Sequence, residues 1–506
     1  MLTVLKCDAL DGFSHCPDNL CPSFLDDSSG PPSSPLGGGR KKQNSALPIG
    51  PDPEFVDGVS TSSPTASSIS CKKITKKSVL GEERRRVWVH GPRPEYKKNS
   101  QRFNLPSRII GLLRPNLDIV ILPGAHEPTR EFWEFSRAVL GLAEWQAVFT
   151  SGSIYNMDDD VDDEMVERLR AIIKESGCGW TMVPYCVTPN FNRWASKLSS
   201  LDVETFGELL EWVDMYGHKG ALHRHVRQLD VPSLVETIDP NILVARGYTC
   251  SAVDDLLLAY NLLDCQRVVV KPIYGAAGEG ILFMSSEAEL RGYTFPMGDV
   301  CLEEHLNLDL APDGIVLSPA MHYNEGDFVG DDLIDQIMKG TSYMGWRKSI
   351  VSAEFHTAAR QCLRKFMDYT DPKGPGGVDF LSVDGRPFLS DLNTGRFNGC
   401  HGPKLFRLMY APTSDLFVWK GRAPATLTAQ DFWTQCVAAG CAFFPGVSSE
   451  GVFPLLYLRG RSFMMVALGR DDAACQRIYH TADRILNAAA AEAAAQIVPP
   501  TPTPAA

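Results

Sequence analysis

The spacing of apolar and polar positions predicts alternating strands and helices between about residues 86 and 215. Residues 118–122 and 147–150 are short apolar runs typical of buried strands. Residues 131–142 carry apolar side chains at helical spacing, and an acidic stretch leads into a second helix over residues 164–174. This alternation predicts a small α/β layer in the first half of the chain.

Further along, the β-branched residues 268–270 predict a buried strand that ends in Lys271. A lysine at the end of an apolar strand is costly to bury unless it meets an anion. Gly275, Gly278 and Gly280 follow, and they let the backbone approach a ligand with its N–H groups exposed. A strand rather than a helix comes next, which argues against a P-loop or a Rossmann motif. The pattern favours a glycine-rich hairpin over phosphates; an ordinary glycine turn with a solvated lysine is the alternative.

The segment from Gly377 to Gly399 predicts two strands joined by a tight Asp-Gly turn. Asp379 lies in the first strand, and Asp391 and Asn393 lie two residues apart, so they share one face of the second. Oxygen ligands that converge from neighbouring strands are what Mg²⁺ bound to nucleotide phosphates requires. The alternative is a hairpin with exposed acids on its solvent face, which is common.

Residues 300–306 form a short apolar strand that contains two consecutive acids. In a nucleotide site such a strand offers backbone groups to the base and a carboxylate to the ribose. Glu303, Glu304 and Asp309 are the candidates for that role. The alternative is a solvated strand end.

In chain order, these motifs resemble the ATP-grasp ligase superfamily over about residues 215 to 410. The resemblance includes a helical segment from Lys219 to Ser233 and a strand, turn and helix over residues 246–260. Upstream, residues 117–123, 132–142 and 182–189 look like the pre-ATP-grasp region of the pheganomycin-type peptide ligases. The Asp335-Gln336 and Tyr343-Met-Gly-Trp-Arg347 segments also suit that group.

This resemblance implies an α/β (α+β) fold in which an ATP-grasp domain with two antiparallel-sheet subdomains clasps ATP. It also implies a role for each matching residue. The ATP phosphates would be held by Lys219 and Lys271 and covered by Tyr274, Gly275, Gly278 and Gly280. The nucleoside would be framed by Glu303, Glu304 and Asp309, and Mg²⁺ would be bound by Asp379, Asp391 and Asn393. The acyl phosphate or carboxylate would be bound by Arg396 and Arg347.

Two positions depart from the superfamily pattern. Many members have Glu where this chain has Asp391, and the shorter side chain reaches less far toward a metal by one methylene. Some members carry an Arg two residues before the first metal acid, where this chain has Gly377. The second departure gives Arg347 and Arg396 more weight as candidate cations.

The chain has 506 residues, enough for two or three domains of ~100–200 residues each. Residues 1–85 are rich in Ser, Pro, Gly and Asp, which predicts a disordered tail. We expect a pre-ATP-grasp α/β domain over residues 86–215, an ATP-grasp catalytic domain over residues 216–480 and an Ala/Pro-rich tail over residues 481–506.

Composition narrows the class of protein and its setting. The net charge of −12 gives no bulk attraction to nucleic acid, and no apolar run reaches the ~20 residues that span a bilayer. The 14 cysteines are scattered without a Cys-x-x-Cys pair, and the N-terminus resembles neither a secretory signal nor a transit peptide. We therefore expect a cytoplasmic protein with no membrane or nucleic-acid partner. Signatures of zinc peptidases and serine hydrolases are absent from the sequence.

The predicted function is an ATP- and Mg²⁺-dependent ligase that joins a small-molecule carboxylate to an amine, with amino acids or peptides as the expected substrates. The sequence leaves the oligomeric state open, although homodimers are common among similar ligases. One alternative is an ATP-binding regulatory protein that kept the fold and lost turnover, which the departures at Gly377 and Asp391 allow. Another is a carboxylase-like or phosphotransferase member of the same superfamily.

Overall fold

The computed structural model describes residues 84–89, 106–123, 126–150, 163–187, 189–199, 203–274, 278, 280–295, 298–330, 332–340, 342–397 and 399–497, all within the unit formed by residues 68–506. Of the predicted tail over residues 1–85, residues 1–83 lie outside these ranges and Arg85 begins the first strand; the proline-rich end after residue 497 also lies outside them. None of the helices in the described ranges is both long and apolar enough to cross a membrane.

The strands are β1 (Arg85–Val89), β2 (Ile119–Pro123), β3 (Ala147–Thr150), β4 (Trp180–Pro184), β5 (Val203–Thr205), β6 (Arg224–His225), β7 (Gly247–Cys250), β8 (Val268–Pro272), β9 (Leu282–Met284), β10 (Val300–Glu304), β11 (Pro319–Asn324), β12 (Asp327–Phe328), β13 (Ile334–Lys339), β14 (Ser342–Lys348), β15 (Pro375–Val383), β16 (Arg386–Thr394), β17 (Asp415–Gly421), β18 (Gly451–Tyr457) and β19 (Phe463–Gly469). The α-helices are α1 (Glu127–Leu140), α2 (Asp163–Ser176), α3 (Pro189–Leu198), α4 (Leu210–Tyr216), α5 (Leu234–Ile238), α6 (Val253–Leu263), α7 (Glu287–Arg291), α8 (Ala353–Thr370), α9 (His401–Tyr410), α10 (Ala429–Ala438) and α11 (Asp472–Ile497). The predicted strands and helices of the first half are present as β2, α1, β3 and α2.

The first sheet is parallel, with the strand order β3-β2-β1-β4-β5. Its inner strands β2, β1 and β4 are largely buried, as expected for a sheet that helices cover, and the edge strand β5 is partly exposed. The strand order reverses between β1 and β4, and in sheets of this kind ligands bind beside the carboxyl ends of the strands at such a point. The carboxyl end of β4 is therefore a place to look for substrate-binding groups.

The second sheet is small and mostly antiparallel, with the order β6-β7-β10-β8-β9. Strand β8 is buried along its length, and α6 and α7 contribute to the same apolar core. β8 and β9 pair as the two arms of the predicted glycine-rich hairpin, and β10 lies on the other side of β8. Lys271 and the two acids of β10 therefore lie in one sheet.

The third sheet has the order β16-β15-β11-β13-β14-β17-β19-β18, with β12 paired to β11. α8 packs against β11, β15 and β16, and α11 packs against β17 and β19. β15 and β16 form the predicted hairpin, and both turn residues, Asp384 and Gly385, have positive φ angles of 50° and 71°. Positive φ at both positions is the geometry that favours an Asp-Gly pair in a two-residue hairpin turn. The predicted fold class, with a parallel sheet followed by antiparallel sheets, is confirmed.

The predicted helical segment from Lys219 to Ser233 is wrong. A single 3₁₀ turn (Lys219–Leu222) is followed by the short strand β6, and helix starts again only at α5. Ser233 is the N-cap of α5: its hydroxyl accepts from the Glu236 N–H, and the Glu236 carboxylate accepts from the Ser233 N–H. The capping box thus begins a helix where we expected one to end. At the other end of the chain, the predicted boundary at residue 480 falls inside α11.

Candidate active site

Two carboxylates face each other across the hairpin β15–β16. Asp379 and Asp391 are directly opposed in the strand register. The Asn393 side-chain amide donates to Asp379 Oδ2 at 2.9 Å, and Lys219 Nζ lies 3.0 Å from Asp391 Oδ2. The strand alternation therefore brings the three predicted metal ligands together, and Lys219 reaches them from the 3₁₀ turn that contains it.

The environment of Asp379 disfavours a negative charge. Burial and the neighbouring Asp391 carboxylate raise the pKa of Asp379 to about 7, although the amides of Asn393 and Gln336 hydrogen-bond to it. Two carboxylates and an amide oxygen are hard ligands of the kind that Mg²⁺ prefers. A divalent cation would supply the positive charge that this pair lacks, so the residues present fit such an ion.

Gly377 marks a position where the backbone leaves no room for a side chain. A Cβ atom there would lie 2.9 Å from the Met321 carbonyl oxygen on the neighbouring strand and 2.8 Å from the His322 ring. Gly377 is opposite Asn393 in the register. An arginine at this position, as in some ATP-grasp ligases, is therefore excluded by the packing of β11 on β15.

A second charged cluster lies in the small sheet around Lys271. Lys271 Nζ lies 2.5 Å from Glu303 Oε2, and His223 Nε2 lies 3.1 Å from Glu303 Oε1. Burial opposes the charge of Glu303, but Lys271 and the hydrogen bond with His223 outweigh it and lower the pKa of Glu303 to about 2. Burial likewise opposes the charge of Lys271, yet Glu303 keeps the pKa of this ammonium above its usual value. The three side chains form a compensated buried cluster.

The thiol of Cys301 lies close enough to His223 and Glu303 for the three to be considered as metal ligands, with the ligand atoms within 4.8 Å of one another. Both oxygens of Glu303 already have partners, one of which is the Lys271 ammonium. Burial also raises the pKa of the Cys301 thiol, whereas a metal needs the thiolate. This group is therefore a poor cation site.

The loop between β8 and β9 is described in part. The Lys219 N–H donates to the Ile273 carbonyl at 3.2 Å, which joins this loop to the Lys219 turn, and the Tyr274 ring packs against His218. Gly278 and Gly280 have φ angles of 82° and 74°, which favour glycine. Gly275 lies outside the described residues.

Arg396 lies beside the metal ligands, because its guanidinium hydrogen-bonds to the side-chain oxygen of Asn393. The segment around it pairs with the end of β4 in the parallel sheet. Cys186 and Arg396 form an antiparallel bridge, and the Phe397 N–H donates to the Tyr185 carbonyl at 2.8 Å. The carboxyl end of β4 is thereby joined to the end of the metal-ligand strand.

Glu304 lies at the exposed end of β10, where its carboxylate accepts from both the backbone and the guanidinium of Arg246. This position agrees with contact to a polar part of a nucleotide. The carboxylate nevertheless has a partner already, so a ribose hydroxyl would have to share it.

Two predicted site residues are elsewhere. Asp309 caps the hairpin turn: its carboxylate accepts from the Ser382 hydroxyl at 2.7 Å and from the Gly385 N–H at 2.8 Å. This turn is at the opposite end of β15 and β16 from Asp391 and Asn393, so the assignment of Asp309 to the nucleoside is corrected to a structural role.

Arg347 forms an ion pair with Asp313 and is opposite Asp335 in the register of β13 and β14. Gln336, which hydrogen-bonds to Asp379, is adjacent to Asp335 and so points to the other face of the sheet. Arg347 therefore lies on the face away from Asp379, and its assignment to the acyl phosphate is corrected.

Two residues of the site were missed from the sequence. His223 is 80 residues from Glu303, and only the pairing of the small sheet brings them together. Gln336 reaches Asp379 across β11, which separates their strands. No local spacing could have predicted either contact; the Asp335-Gln336 pair was noted only as part of the family resemblance.

No protein-family model matches the chain, and no curated protein matches it. Solved structures do match. A biotin carboxylase from Campylobacter jejuni, described as a β-γ-ATP complex, has 10% identity and a TM-score of 0.50, with 80% of this chain and 95% of that chain covered. An N5-carboxyaminoimidazole synthase from Aspergillus clavatus in complex with ADP has 12% identity and a TM-score of 0.49, with 79% and 99% covered. An N5-carboxyaminoimidazole ribonucleotide synthetase from Thermus thermophilus has 9% identity and a TM-score of 0.49, with 79% and 98% covered.

At such identities the comparison establishes the fold alone. The similarity to the biotin carboxylase extends over most of both chains, and it agrees with the succession of one parallel sheet and two largely antiparallel sheets described above. The described part of this chain has the ATP-grasp fold.

Proposed function

We propose that this protein is an ATP-dependent ligase that joins a carboxylate to an amine through an acyl phosphate, releasing ADP and phosphate. The observation that carries the proposal is the opposition of Asp379 and Asp391 on β15 and β16, with Asn393 and Lys219 in contact with them. This set combines metal-binding oxygens with a phosphate-binding cation. Such a combination suits phosphoryl transfer, in which a protein contributes mainly positioning and charge.

Each residue has a proposed task in this reaction. Asp379, Asp391 and Asn393 would hold Mg²⁺, while Lys219, Lys271 and the N–H groups near Gly278 and Gly280 would hold the ATP phosphates. Glu303 orients Lys271, because the two are paired at 2.5 Å inside the small sheet. When bound, Mg-ATP supplies the phosphoryl group that activates the carboxylate. Closure of the Tyr274 loop would exclude water from the activated acid.

Arg396 is the proposed cation for the carboxylate that becomes activated. Its guanidinium hydrogen-bonds to the Asn393 side-chain oxygen, so it lies next to the proposed metal ligands and would release this oxygen when the ion binds. A guanidinium can bind two oxygens of a carboxylate or an acyl phosphate at once. Because Arg347 lies on the other face of the sheet, we assign the binding of this carboxylate to Arg396 alone of the two arginines.

The structural comparison lends chemical support. The biotin carboxylase was solved as a β-γ-ATP complex, and nucleotide binding at the corresponding sheets of this chain is the simplest explanation of its buried lysines. The cytoplasmic location and the closeness to pheganomycin-type peptide ligases remain predictions.

The test is ADP release by the full-length protein with Mg-ATP, screened against amino acids singly and in pairs, with mass spectrometry of the products. A product whose mass equals the sum of two substrates less water would support the ligase. Asp391→Asn should lower the rate by about 10³-fold, as expected when a residue that positions the transferred group is lost, while Asp415→Asn, a surface acid paired with Lys348, should be neutral.

ATP binding without ADP release under every condition would favour the regulatory protein instead. ADP release with a phosphorylated product, or one that requires bicarbonate rather than an amine, would favour a phosphotransferase or a carboxylase. An Asp391→Asn variant with normal turnover would exclude the proposed metal site.

A further inference from the structure

Arg108 precedes β2 in the chain, yet it has neighbours in common with Asp379 of the hairpin β15–β16. It lies in the 3₁₀ helix Pro106–Leu112, which packs against β2, α9 and β18. Its side chain is half-buried and donates a hydrogen bond to the Tyr185 hydroxyl, while its Nε is buried without a hydrogen-bond partner. The guanidinium thus has donor capacity inside the protein that no described protein group uses.

The groups around Arg108 connect it to Asp379. Its charge acts on the Tyr343 hydroxyl and on the Cys400 thiol, two buried groups that lie 3.9 Å apart. The charge of Asp379 acts on the same hydroxyl and the same thiol. Tyr343 and Cys400 therefore have both the Arg108 guanidinium and Asp379 as charged neighbours, and Tyr185, just after β4, is the hydrogen-bond partner of that guanidinium.

The charge of Arg108 has no compensation inside the described residues. Arg114 is paired with Asp118, Arg347 with Asp313 and Arg407 with Asp332. No carboxylate of the described ranges forms an ion pair with Arg108; its identified neighbours are two phenols and a thiol. A partly buried guanidinium without an anion is unfavourable, and it is most simply explained by an oxyanion that arrives with a ligand.

We propose that Arg108 binds a substrate carboxylate that is not activated in the reaction, so that the amine substrate is an amino acid, or a peptide, with a free carboxylate. The inference rests on the proposed ligase function and specifies its acceptor. Arg396, beside Asn393, is the proposed cation for the carboxylate to be activated, whereas Arg108 has Tyr185, Tyr343 and Cys400 as its neighbours and suits a second carboxylate. The amino group of such a substrate would then point back toward Asp379.

The first experiment measures binding and does not depend on turnover. Calorimetry on the full-length protein with Mg²⁺ and ADP would use the twenty L-amino acids and their primary amides as titrants. We expect at least one amino acid to bind and its amide to bind about 100-fold more weakly, since the amide lacks the charge that a guanidinium recognises.

The variants separate Arg108 from general effects. Arg108→Met should weaken the amino acid by about the same 100-fold and leave the amide unchanged, so that the preference for the acid disappears, and Arg108→Lys should restore part of it. Arg137→Met, which removes an exposed guanidinium paired with Glu134, should bind as the wild type does. Near-ultraviolet circular dichroism identifies any Arg108 variant that has not folded, in which case Arg108→Lys carries the comparison.

Two outcomes would overturn the inference: no amino acid binds, or Arg108→Met binds the amino acid as tightly as the wild type does. A second experiment follows ADP release with the amino acid that binds, for which Arg108→Met should raise KM about 100-fold and change kcat much less. If the amino acid binds through Arg108 but no ADP is released, the proposed ligase function is refuted and the Arg108 site is not. If ADP release depends on the amine but is unchanged in Arg108→Met, the Arg108 site is refuted and the proposed ligase function is not.

Discussion

The two charged clusters of the ATP-grasp part differ in how their charges are balanced. In the small sheet, Glu303 has the Lys271 ammonium on one oxygen and His223 on the other, and all three side chains are buried. In the large sheet, Asp379 and Asp391 face each other, and Lys219 is the ammonium in contact with them. The first cluster pairs its charges within the protein, whereas in the second the two carboxylates oppose each other and have Lys219 and the Arg396 guanidinium as cationic neighbours.

This difference separates a structural use of charge from a use in binding. A buried ion pair that satisfies itself positions Lys271 before any ligand arrives. Two partly buried carboxylates that face each other repel in the folded protein, and a cation that binds between them stabilises the pair. The same reasoning applies to Arg108, which carries an uncompensated charge of the opposite sign. Variants of Lys271, Glu208, Asp379 and Arg347 test this distinction.

Lys271→Ala should have the largest effect on stability, because it leaves the Glu303 carboxylate buried with only His223 as a partner. Breaking a buried pair by removing one member costs about 3–5 kcal/mol of the free energy of unfolding. Urea unfolding without ligands measures the loss, and Lys348→Ala, from a more exposed pair with Asp415, should change stability by less than about 1 kcal/mol.

Removing both charges in Lys271→Met with Glu303→Gln should return much of the stability lost in Lys271→Ala, because no uncompensated charge then remains. Nucleotide binding should be weaker in this double variant than in the wild type, because the ammonium proposed to hold the ATP phosphates is missing. If Lys271→Ala unfolds at the wild-type urea concentration, the cluster in the small sheet does not have the compensated character described here.

Glu208 gives a reference case, a buried carboxylate whose hydrogen bonds come from the backbone. It accepts from the N–H groups of Lys373 and Gly374, both at 2.7 Å, and burial raises its pKa to about 7. Because the folded state holds this proton more tightly than the unfolded state does, stability should fall as pH rises from about 4.5 to about 7.

Glu208→Gln keeps an oxygen acceptor for both N–H groups and removes the titration. At pH 8 the variant should be more stable than wild type by about 3 kcal/mol, and at pH 4.5 the two should be nearly equal. Urea unfolding at several pH values measures the difference. A difference that is constant with pH would mean that Glu208 is not protonated in the folded protein at pH 5 to 6.

Asp379→Asn tests the charge balance of the cluster in the large sheet. Replacing one of two opposed carboxylates by a neutral isostere removes the repulsion between them, so the protein without metal should gain about 1–2 kcal/mol of stability. The melting temperature of wild type should rise with Mg²⁺ and ADP, and that of the variant should rise less. A wild-type protein that is indifferent to Mg²⁺ at millimolar concentration would contradict the proposed ion site.

The sequence predicted those parts of the site that depend on local pattern. The hairpin β15–β16 and the strand that ends in Lys271 were predicted because alternation, an Asp-Gly turn and an apolar run are all visible within about twenty residues. Asp379 and Asn393 came together as expected, since residues opposite each other or two apart share a face of the sheet.

The failures share a different cause. Whether Arg347 faces Asp379 depends on the pairing of β14 with β13 and of β13 with β11, and a shift of one residue reverses the face. Asp309 looks like a ligand in sequence, but its partners at Ser382 and Gly385 are more than seventy residues away. The contact between His223 and Glu303 has the same origin, a pairing between distant strands that local periodicity does not encode.

Arg347→Met should have the smallest effect, and its comparison with Arg396→Met tests the corrected assignment. The Arg347 pair with Asp313 is partly exposed, and pairs of this kind contribute about 0–1 kcal/mol, so stability should change little and kcat hardly at all. Arg396→Met, which removes the guanidinium beside Asn393, should lower kcat/KM by at least about 10²-fold, as expected when a group that binds a developing charge is lost. The two variants remove the same charge by the same substitution, so any difference in rate reports where each guanidinium lies. Equal losses would mean that both faces of the sheet influence the reaction, and the assignment by strand register would have to be abandoned.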